Sequence, residues 1–122
     1  MSTVGAGLMS CVFCRIVAGE LSCERVLEDE HVLAFKDIRP QAPTHVLVVP
    51  KRHLASLDEL VDAHLAGALL HAAARVAGAA KLEKGWRLIA NTGEHGGQEV
   101  AHLHLHVLGG RPLGRMLTPP KT

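Results

Sequence analysis

Hydrophobic and polar positions along the chain follow two periods, and the first of them predicts helices. Apolar residues recur at helical spacing over residues 57–82, directly after a Ser-x-x-Glu capping box at residues 56–59. Gly85 follows this pattern, as is typical of a helix C-terminus. The spacing predicts one long helix over residues 57–82. A short helix is expected over residues 11–18, where the pattern stops at a glycine.

The second period is the alternation of apolar and polar residues that is typical of half-buried strands. It occurs at residues 25–28, 32–36 and 102–108, and with the β-branched segment 45–49 and residues 86–91 these make five predicted strands. An acidic turn between the first two predicts an antiparallel hairpin. We therefore expect an α+β fold with a five-stranded, mostly antiparallel sheet, one long helix and one short helix.

Composition limits the chain to one domain and excludes several classes of protein. The 122 residues are 48% hydrophobic and 20% charged, which is ordinary for a soluble globular domain. We expect a flexible leader at residues 1–10, the domain at 11–117 and a loose tail at 118–122. The net charge of +1 comes without a basic cluster, and no apolar run reaches the roughly 20 residues of a membrane span. These features indicate neither a nucleic-acid partner nor a membrane partner.

Three cysteines, an odd number, do not suit a disulfide framework and favour a reducing compartment, which we take to be the cytoplasm. Two of them, Cys11 and Cys14, have the Cys-x-x-Cys spacing of half a zinc site. The alternative is a pair of free buried thiols. Cys23 has no evident partner in the sequence, and we interpret it as a free thiol.

The candidate chemistry lies in the histidines, of which the chain has nine. His102, His104 and His106 alternate with apolar residues, so a strand would place all three on one face. Two neighbouring imidazoles on that face could contact one phosphate-sized group or one metal ion. The loop at residues 92–98 contains three glycines, whose backbone amides could converge on an anion. Loop and histidines together suggest a phosphate held beside an imidazole nucleophile.

Residues 102–108, His-Leu-His-Leu-His-Val-Leu, resemble the signature of the histidine-triad (HIT) family. Residues 37–45, 96–98 and 108–111 are similar to its Hint branch, and the resemblance extends from about residue 11 to residue 117. It implies a symmetric homodimer that hydrolyses purine nucleoside 5′-phosphoramidates, or related nucleotidyl conjugates, to nucleoside monophosphates. The reaction would pass through a covalent nucleotidyl-histidine and would need no cofactor.

The resemblance also implies catalytic roles, position by position. His104 matches the nucleophile, His106 the histidine that touches the phosphate, and His45 an upstream supporting histidine. The backbone carbonyl of His102 would hold His104 in the tautomer whose outer nitrogen is free. Glu99 stands where the best-known members have a serine that helps to protonate the leaving amine. A carboxylic acid could do this if burial raised its pKa.

The same resemblance assigns nucleotide-binding residues. Asn91, Gly97 and Gln98 match positions around the phosphate and the leaving group, and Asp37 matches the carboxylate that accepts hydrogen bonds from the ribose. The apolar base cleft would be formed by Phe13, Ile16, Leu21, Phe35 and Ile38. In some relatives, histidines at the positions of His53 and His102 complete a structural zinc site with Cys11 and Cys14.

Two other functions fit the same residues. A zinc hydrolase could use the His-x-His strand as metal ligands and would lose its activity on chelation. A nucleotide-binding or scaffolding module could have the same cleft but negligible turnover.

Overall fold

The structure is a computed structural model that describes residues 10–118. The first nine residues of the expected leader and residues 119–122 of the expected tail lie outside the described residues. The elements, in chain order, are helix α1 (Val12–Val17), strands β1 (Arg25–Glu28), β2 (Val32–Lys36) and β3 (Thr44–Pro50), a 3-10 turn (Leu57–Glu59), helix α2 (Ala63–Ala79), and strands β4 (Trp86–Ile89) and β5 (Leu105–Gly109).

The five strands form one sheet in the order β1-β2-β3-β5-β4, and every neighbouring pair is antiparallel. The expected α+β architecture, with five strands, one long helix and one short helix, is confirmed. The predicted hairpin is also present, since β1 pairs with β2 across the acidic turn.

The predicted long helix is wrong at both ends. The capping box closes only a 3-10 turn, in which the Ser56 side chain accepts a hydrogen bond from the amide of Asp58. Helix α2 begins later, where the Asp62 carboxylate accepts from the amides of the first turn. At the other end Lys81 has a φ of +57°, and the amide of Leu82 reaches back over it to the Ala77 carbonyl. This is a Schellman cap, so the helix stops before Gly85.

Strand β5 is shorter than predicted, because it begins at Leu105 instead of His102. In register, Leu105 lies opposite Val48, which would put Leu103 opposite Pro50. Pro50 has no amide hydrogen to donate, and the Leu103 amide bonds to the Leu54 carbonyl instead, at 2.7 Å. Strand β4 likewise ends at Ile89, before the predicted residue 91.

Each face of the sheet carries its own hydrophobic core. Alternate residues of β2 and β3, such as Val32, Ala34, Val46 and Val48, pack against α2. The residues between them, Leu33, Phe35, Leu47 and Val49, face α1. They form a second cluster with Phe13 and Ile16 of that helix. The even-numbered histidines near β5 lie on the α1 face, because Leu103, Leu105 and Val107 belong to the α2 core.

Within residues 10–118, no helix combines the length and the apolar character that crossing a membrane requires.

Candidate active site

The nucleophile candidate His104 is held in one tautomer by its own backbone. Its ring is buried, and Nδ1 lies 2.7 Å from the carbonyl oxygen of His102. A carbonyl oxygen can only accept, so Nδ1 carries the proton and Nε2 keeps its lone pair. The ring edge also meets Phe13, whose centroid is 5.1 Å away. A neutral imidazole with a fixed orientation and a free Nε2 lone pair is a competent nucleophile.

A second chain of hydrogen bonds fixes the tautomers of His45 and His106. The backbone amide of Gln41 donates to Nδ1 of His45 at 3.0 Å, so that ring carries its proton on Nε2. This Nε2 lies 2.9 Å from Nδ1 of His106, which must therefore accept. It follows that His106 carries its proton on Nε2, beside His104, whose ring centroid is 5.0 Å away. His106 can thus donate a hydrogen bond to an oxygen on the atom that His104 attacks.

Both supporting histidines are uncharged at neutral pH. Burial, together with the nearby His104 and His45, lowers the pKa of His106 to about 4 against an opposing effect of Asp37. Burial also lowers the pKa of His45, although the carboxylate of Asp37 opposes this shift. The two hydrogen bonds from the Gln41 amide to His45 and from His45 to His106 therefore orient both rings without placing a positive charge in the site.

The glycine loop, residues 92–98, differs from the expected open nest of amides. The Gly97 amide donates to the carbonyl of Glu94, and the Gly93 amide donates to the side-chain oxygen of Gln98. Asn91 also ties the loop together, by donating to the Gly96 carbonyl at 2.8 Å. The amides of Gly93 and Gly97 and the side chain of Asn91 are therefore already hydrogen-bonded within the loop. Within residues 10–118, the amide of the next residue, Glu99, has no hydrogen-bond acceptor and remains able to meet an anion.

The side chain of Glu99 is exposed, so it lacks the burial on which its expected role as a proton donor depended. A carboxyl group in this position can still exchange protons with a leaving amine through water. Asp37, the expected ribose ligand, is mostly buried, with Oδ1 accepting from the Arg39 amide at 2.8 Å. Its Oδ2 lies 3.5 Å from Nε2 of His45.

The expected base-cleft residues divide into two groups. Phe13, Ile16 and Phe35 are buried in the α1-side core, and the two phenyl rings meet edge to face at 5.6 Å. Leu21 is half-buried against the same cluster, whereas Ile38 is 90% exposed on the loop after β2. Of the two rings, Phe13 lies against His104.

The cysteine pair meets two histidines. Cys11, Cys14, His53 and His102 each offer one ligand atom, and these four atoms all lie within 4.8 Å of one another. The sulfur of Cys14 is 3.1 Å from Nδ1 of His53, and that of Cys11 is 3.3 Å from Nδ1 of His102. Burial, together with the Cys11 thiol, raises the pKa of Cys14 to about 12, so the Cys14 thiol is protonated in the absence of metal.

The orientation of His102 suits a metal. Its Nε2 donates to the Pro50 carbonyl at 2.9 Å, which leaves the lone pair on Nδ1, facing the sulfurs. This is the outer-shell arrangement that histidine ligands of zinc usually have. Four ligands of the Cys2His2 type would fill a tetrahedral zinc ion, as in structural sites. The residues present therefore fit a structural zinc ion.

A second cluster consists of Asp37, His45 and His106. Its residue types could hold a metal, but the ring nitrogen of His45 that faces the cluster is protonated. Because the Gln41 amide donates to Nδ1 of His45, Nε2 of that ring carries a proton and has no lone pair to offer. Within the described residues, neither cluster of three or more potential ligands includes His104. The arrangement favours an imidazole nucleophile over a metal-bound hydroxide at this histidine.

Apart from the His102 carbonyl, sequence reasoning missed the backbone groups that hold the site. The Gln41 amide and the carbonyls of Pro50, Leu54 and Ala55 each hold a functional side chain or segment. Backbone groups are the same in every residue, so composition and spacing carry no direct signal for them. The Pro-rich loop at residues 39–43 was the one available hint, since prolines fix the loop that presents Gln41.

Comparisons with known proteins agree with this geometry. Residues 18–113 match the family model of the HIT domain. A purine nucleoside phosphoramidase of Escherichia coli (strain K12) is 44% identical over 109 residues, which cover 87% of this chain and 92% of that protein. A HIT-like protein of Azospirillum brasilense is 51% identical over 112 residues, covering 88% and 91%.

Solved structures give the same result at the level of the backbone. A HIT family hydrolase from Legionella pneumophila superposes with a TM-score of 0.83 at 47% identity, covering 86% of this chain and 96% of that one. A histidine triad protein from Clostridium difficile reaches a TM-score of 0.85 at 41% identity, covering 89% and 97%. The chain therefore belongs to the HIT family and is a hydrolase of that family.

Proposed function

We propose that the protein hydrolyses purine nucleoside 5′-phosphoramidates, or related nucleotidyl conjugates, to nucleoside monophosphates. The observation that carries this proposal is the pair of fixed tautomers: a free lone pair on His104 Nε2 beside an Nε2–H donor on His106. One group attacks phosphorus while the other donates to a phosphoryl oxygen. The name of the E. coli relative supports the substrate class.

The reaction has two displacements at phosphorus. In the first, His104 Nε2 forms a bond to the α-phosphorus, the phosphorus–nitrogen bond breaks, and the amine leaves with a proton delivered from Glu99 or from water. In the second, water attacks the same phosphorus, the histidine–phosphorus bond breaks, and the proton of the attacking water passes to the group that gave one up in the first step, Glu99 or water. His106 and the Glu99 amide would stabilise the charge on the phosphoryl oxygens in both steps.

The test is the release of AMP from adenosine 5′-phosphoramidate by the wild type and by His104→Ala. We expect the variant to lose about 10³-fold or more in kcat/KM, because no other nucleophile lies at that position. Rapid quenching of the wild type in alkaline detergent should trap one nucleotidyl group per active site, because a histidine–phosphorus bond survives alkali but not acid. A wild type that binds AMP without any turnover would support a nucleotide-binding module instead.

We also propose that Cys11, Cys14, His53 and His102 hold a structural zinc ion. Such an ion would fasten α1 to the catalytic segment and stabilise the fold. The thiolate ligands fit a reducing compartment such as the cytoplasm. Protein purified without added metal should contain about one zinc ion per chain. Cys14→Ser should lower that content, while Cys23→Ser, which alters a cysteine outside the cluster, should not; equal contents in the two variants would contradict the site.

A homodimer is our third proposal, and the edge strand β4 supports it. Trp86 and Leu88 lie on the α2 side of this strand, and each is 38% exposed. Between Trp86 and the C-terminal part of α2 is an open groove of about 290 Å³ with a largely apolar lining. Leu88→Glu should shift sedimentation velocity toward the monomer. Val61→Glu is the control, because Val61 is 88% exposed before α2, and an unchanged sedimentation coefficient in Leu88→Glu would argue against this face.

A further inference from the structure

The side chain of Gln98 is fully engaged in holding the glycine loop. Its Oε1 accepts from the Gly93 amide at 2.9 Å, and its Nε2 donates to the carbonyls of Ala55 at 2.7 Å and Val100 at 2.9 Å. A primary amide has two hydrogens to donate, and both are used here. No N–H of this half-buried side chain remains for a phosphoryl oxygen.

The contact with Ala55 connects the glycine loop to the segment that also holds the residues before His104. The neighbouring carbonyl, that of Leu54, accepts from the Leu103 amide at 2.7 Å, and Leu103 directly precedes His104. Two consecutive residues thus receive the glycine loop and the catalytic segment. Because the distance between consecutive backbone units is fixed by covalent geometry, these two carbonyls set the spacing between the loop and His104.

The receiving segment is itself held in place. The Glu59 carboxylate accepts from the Ala55 amide at 2.6 Å, and the 3-10 turn brings Glu59 back to that amide. Charge-assisted hydrogen bonds of this length are among the stronger ones in proteins. Both backbone groups of Ala55 are therefore hydrogen-bonded, the amide to Glu59 and the carbonyl to Gln98.

We propose that Gln98 is a positioning residue that aligns the glycine loop with His104 through the Ala55 carbonyl, and not a ligand of the substrate. The catalytic consequences rest on the proposed phosphoramidase function. Loosening this connection lets the loop and its following amide, that of Glu99, drift from the phosphorus that His104 attacks. Displacements of about 1 Å at this distance can cost about 100-fold in rate.

The test uses two substitutions of Gln98 that break different contacts. Gln98→Glu keeps an oxygen for the Gly93 amide but turns a second oxygen toward the carbonyls of Ala55 and Val100. Gln98→Met removes all three hydrogen bonds with little change in volume. In both, we expect kcat for adenosine 5′-phosphoramidate to fall about 10- to 100-fold, whereas adenosine, which lacks the phosphate, should bind within about twofold of wild type. Glu83→Gln, an exposed change distant from the loop, is the control and should match the wild type.

Amide hydrogen exchange of the nucleotide-free protein supplies a readout that does not depend on activity. The Gly93 amide should exchange faster in Gln98→Met, and the Leu103 amide should exchange faster in both Gln98 variants. Glu59→Ala loosens Ala55 from its other side and should speed the same Leu103 amide, with a smaller loss of kcat. This second route keeps the test informative where a Gln98 variant does not fold.

Two results would overturn the proposal. Unchanged exchange in the nucleotide-free variants, with AMP affinity reduced and adenosine affinity intact, would make Gln98 a direct phosphate ligand. Faster exchange with unchanged kcat would make its role purely structural. An inactive wild type would refute the proposed function, while exchange and the AMP-to-adenosine affinity ratio would still decide the role of Gln98.

Discussion

Acidification should destabilise the folded protein through His106, and the structure gives the size of the effect. The pKa of this ring is about 4 in the folded state against 6.5 for an ordinary histidine. As the pH falls, the unfolded chain takes up the proton first, so the unfolded state gains free energy of protonation that the folded state does not. The contribution is absent above pH 6.5, grows between pH 6.5 and about 4, and opposes folding throughout that window.

For a single site, these two pKa values give a loss of about 2 kcal/mol at pH 5 relative to pH 7. The ring is only half-buried, and solvent screening reduces the expected loss to about 1 kcal/mol. In a domain of this size, that corresponds to a fall of roughly 3–5 °C in Tm.

The assay is urea unfolding of the wild type and of His106→Asn at pH 7 and pH 5. Asparagine can still accept the hydrogen bond from His45 but does not titrate, so the variant should lose about 1 kcal/mol less than the wild type between the two pH values. Protonation of the cysteine cluster affects both proteins equally and cancels in the difference. His31→Asn, which removes an exposed histidine, should retain the wild-type loss. If His106→Asn loses as much as the wild type, the ring is not held neutral by burial.

Three further predictions concern stability. Lys81→Gly should raise the free energy of unfolding by about 0.5–1 kcal/mol, because Lys81 caps α2 at a φ of +57°, and a lower Tm would contradict this. Gly110→Ala should lower the free energy of unfolding by about 1–3 kcal/mol, since Gly110 has a φ of +98° and a new Cβ would lie 2.8 Å from the Cβ of Pro43. An unchanged midpoint in urea unfolding would show that the loop can move to make room. Asp62→Ala should cost about 1 kcal/mol by removing the N-cap of α2, and Asp62→Asn should restore most of it in the same thermal scans, unless the cap is dispensable.

The strands were predicted well because apolar, β-branched segments bounded by turn residues mark them, and β2 and β3 are apolar on both faces since each face of the sheet packs on a core. The element ends were predicted less well, since they depend on contacts with distant residues. Leu103 leaves the ladder because Pro50 would stand opposite it, and this pairing is not visible before the register is known. At residues 56–62, two capping signals compete, and the sequence alone does not show that Asp62 begins the helix.

The candidate site divides in the same way. The alternating histidines predicted a shared face, and the carbonyl of His102 lies where the resemblance implied. The interpretation of the glycine loop as open amides was wrong for Gly93 and Gly97, whose amides bond within the loop. A glycine signals conformational freedom, but not which acceptor its amide finds after folding. The roles of the individual site residues remain predictions.

His102 takes part in both proposed sites, because its ring faces the cysteines while its carbonyl holds the ring of His104. With zinc bound, a chelator would therefore release the ring and disturb the orientation of His104 from only two residues away. Loss of activity on chelation would look like the behaviour of a zinc hydrolase, even with the proposed imidazole attack on phosphorus. For this enzyme, inhibition by a chelator is not a criterion of mechanism, and trapping the nucleotidylated His104 is.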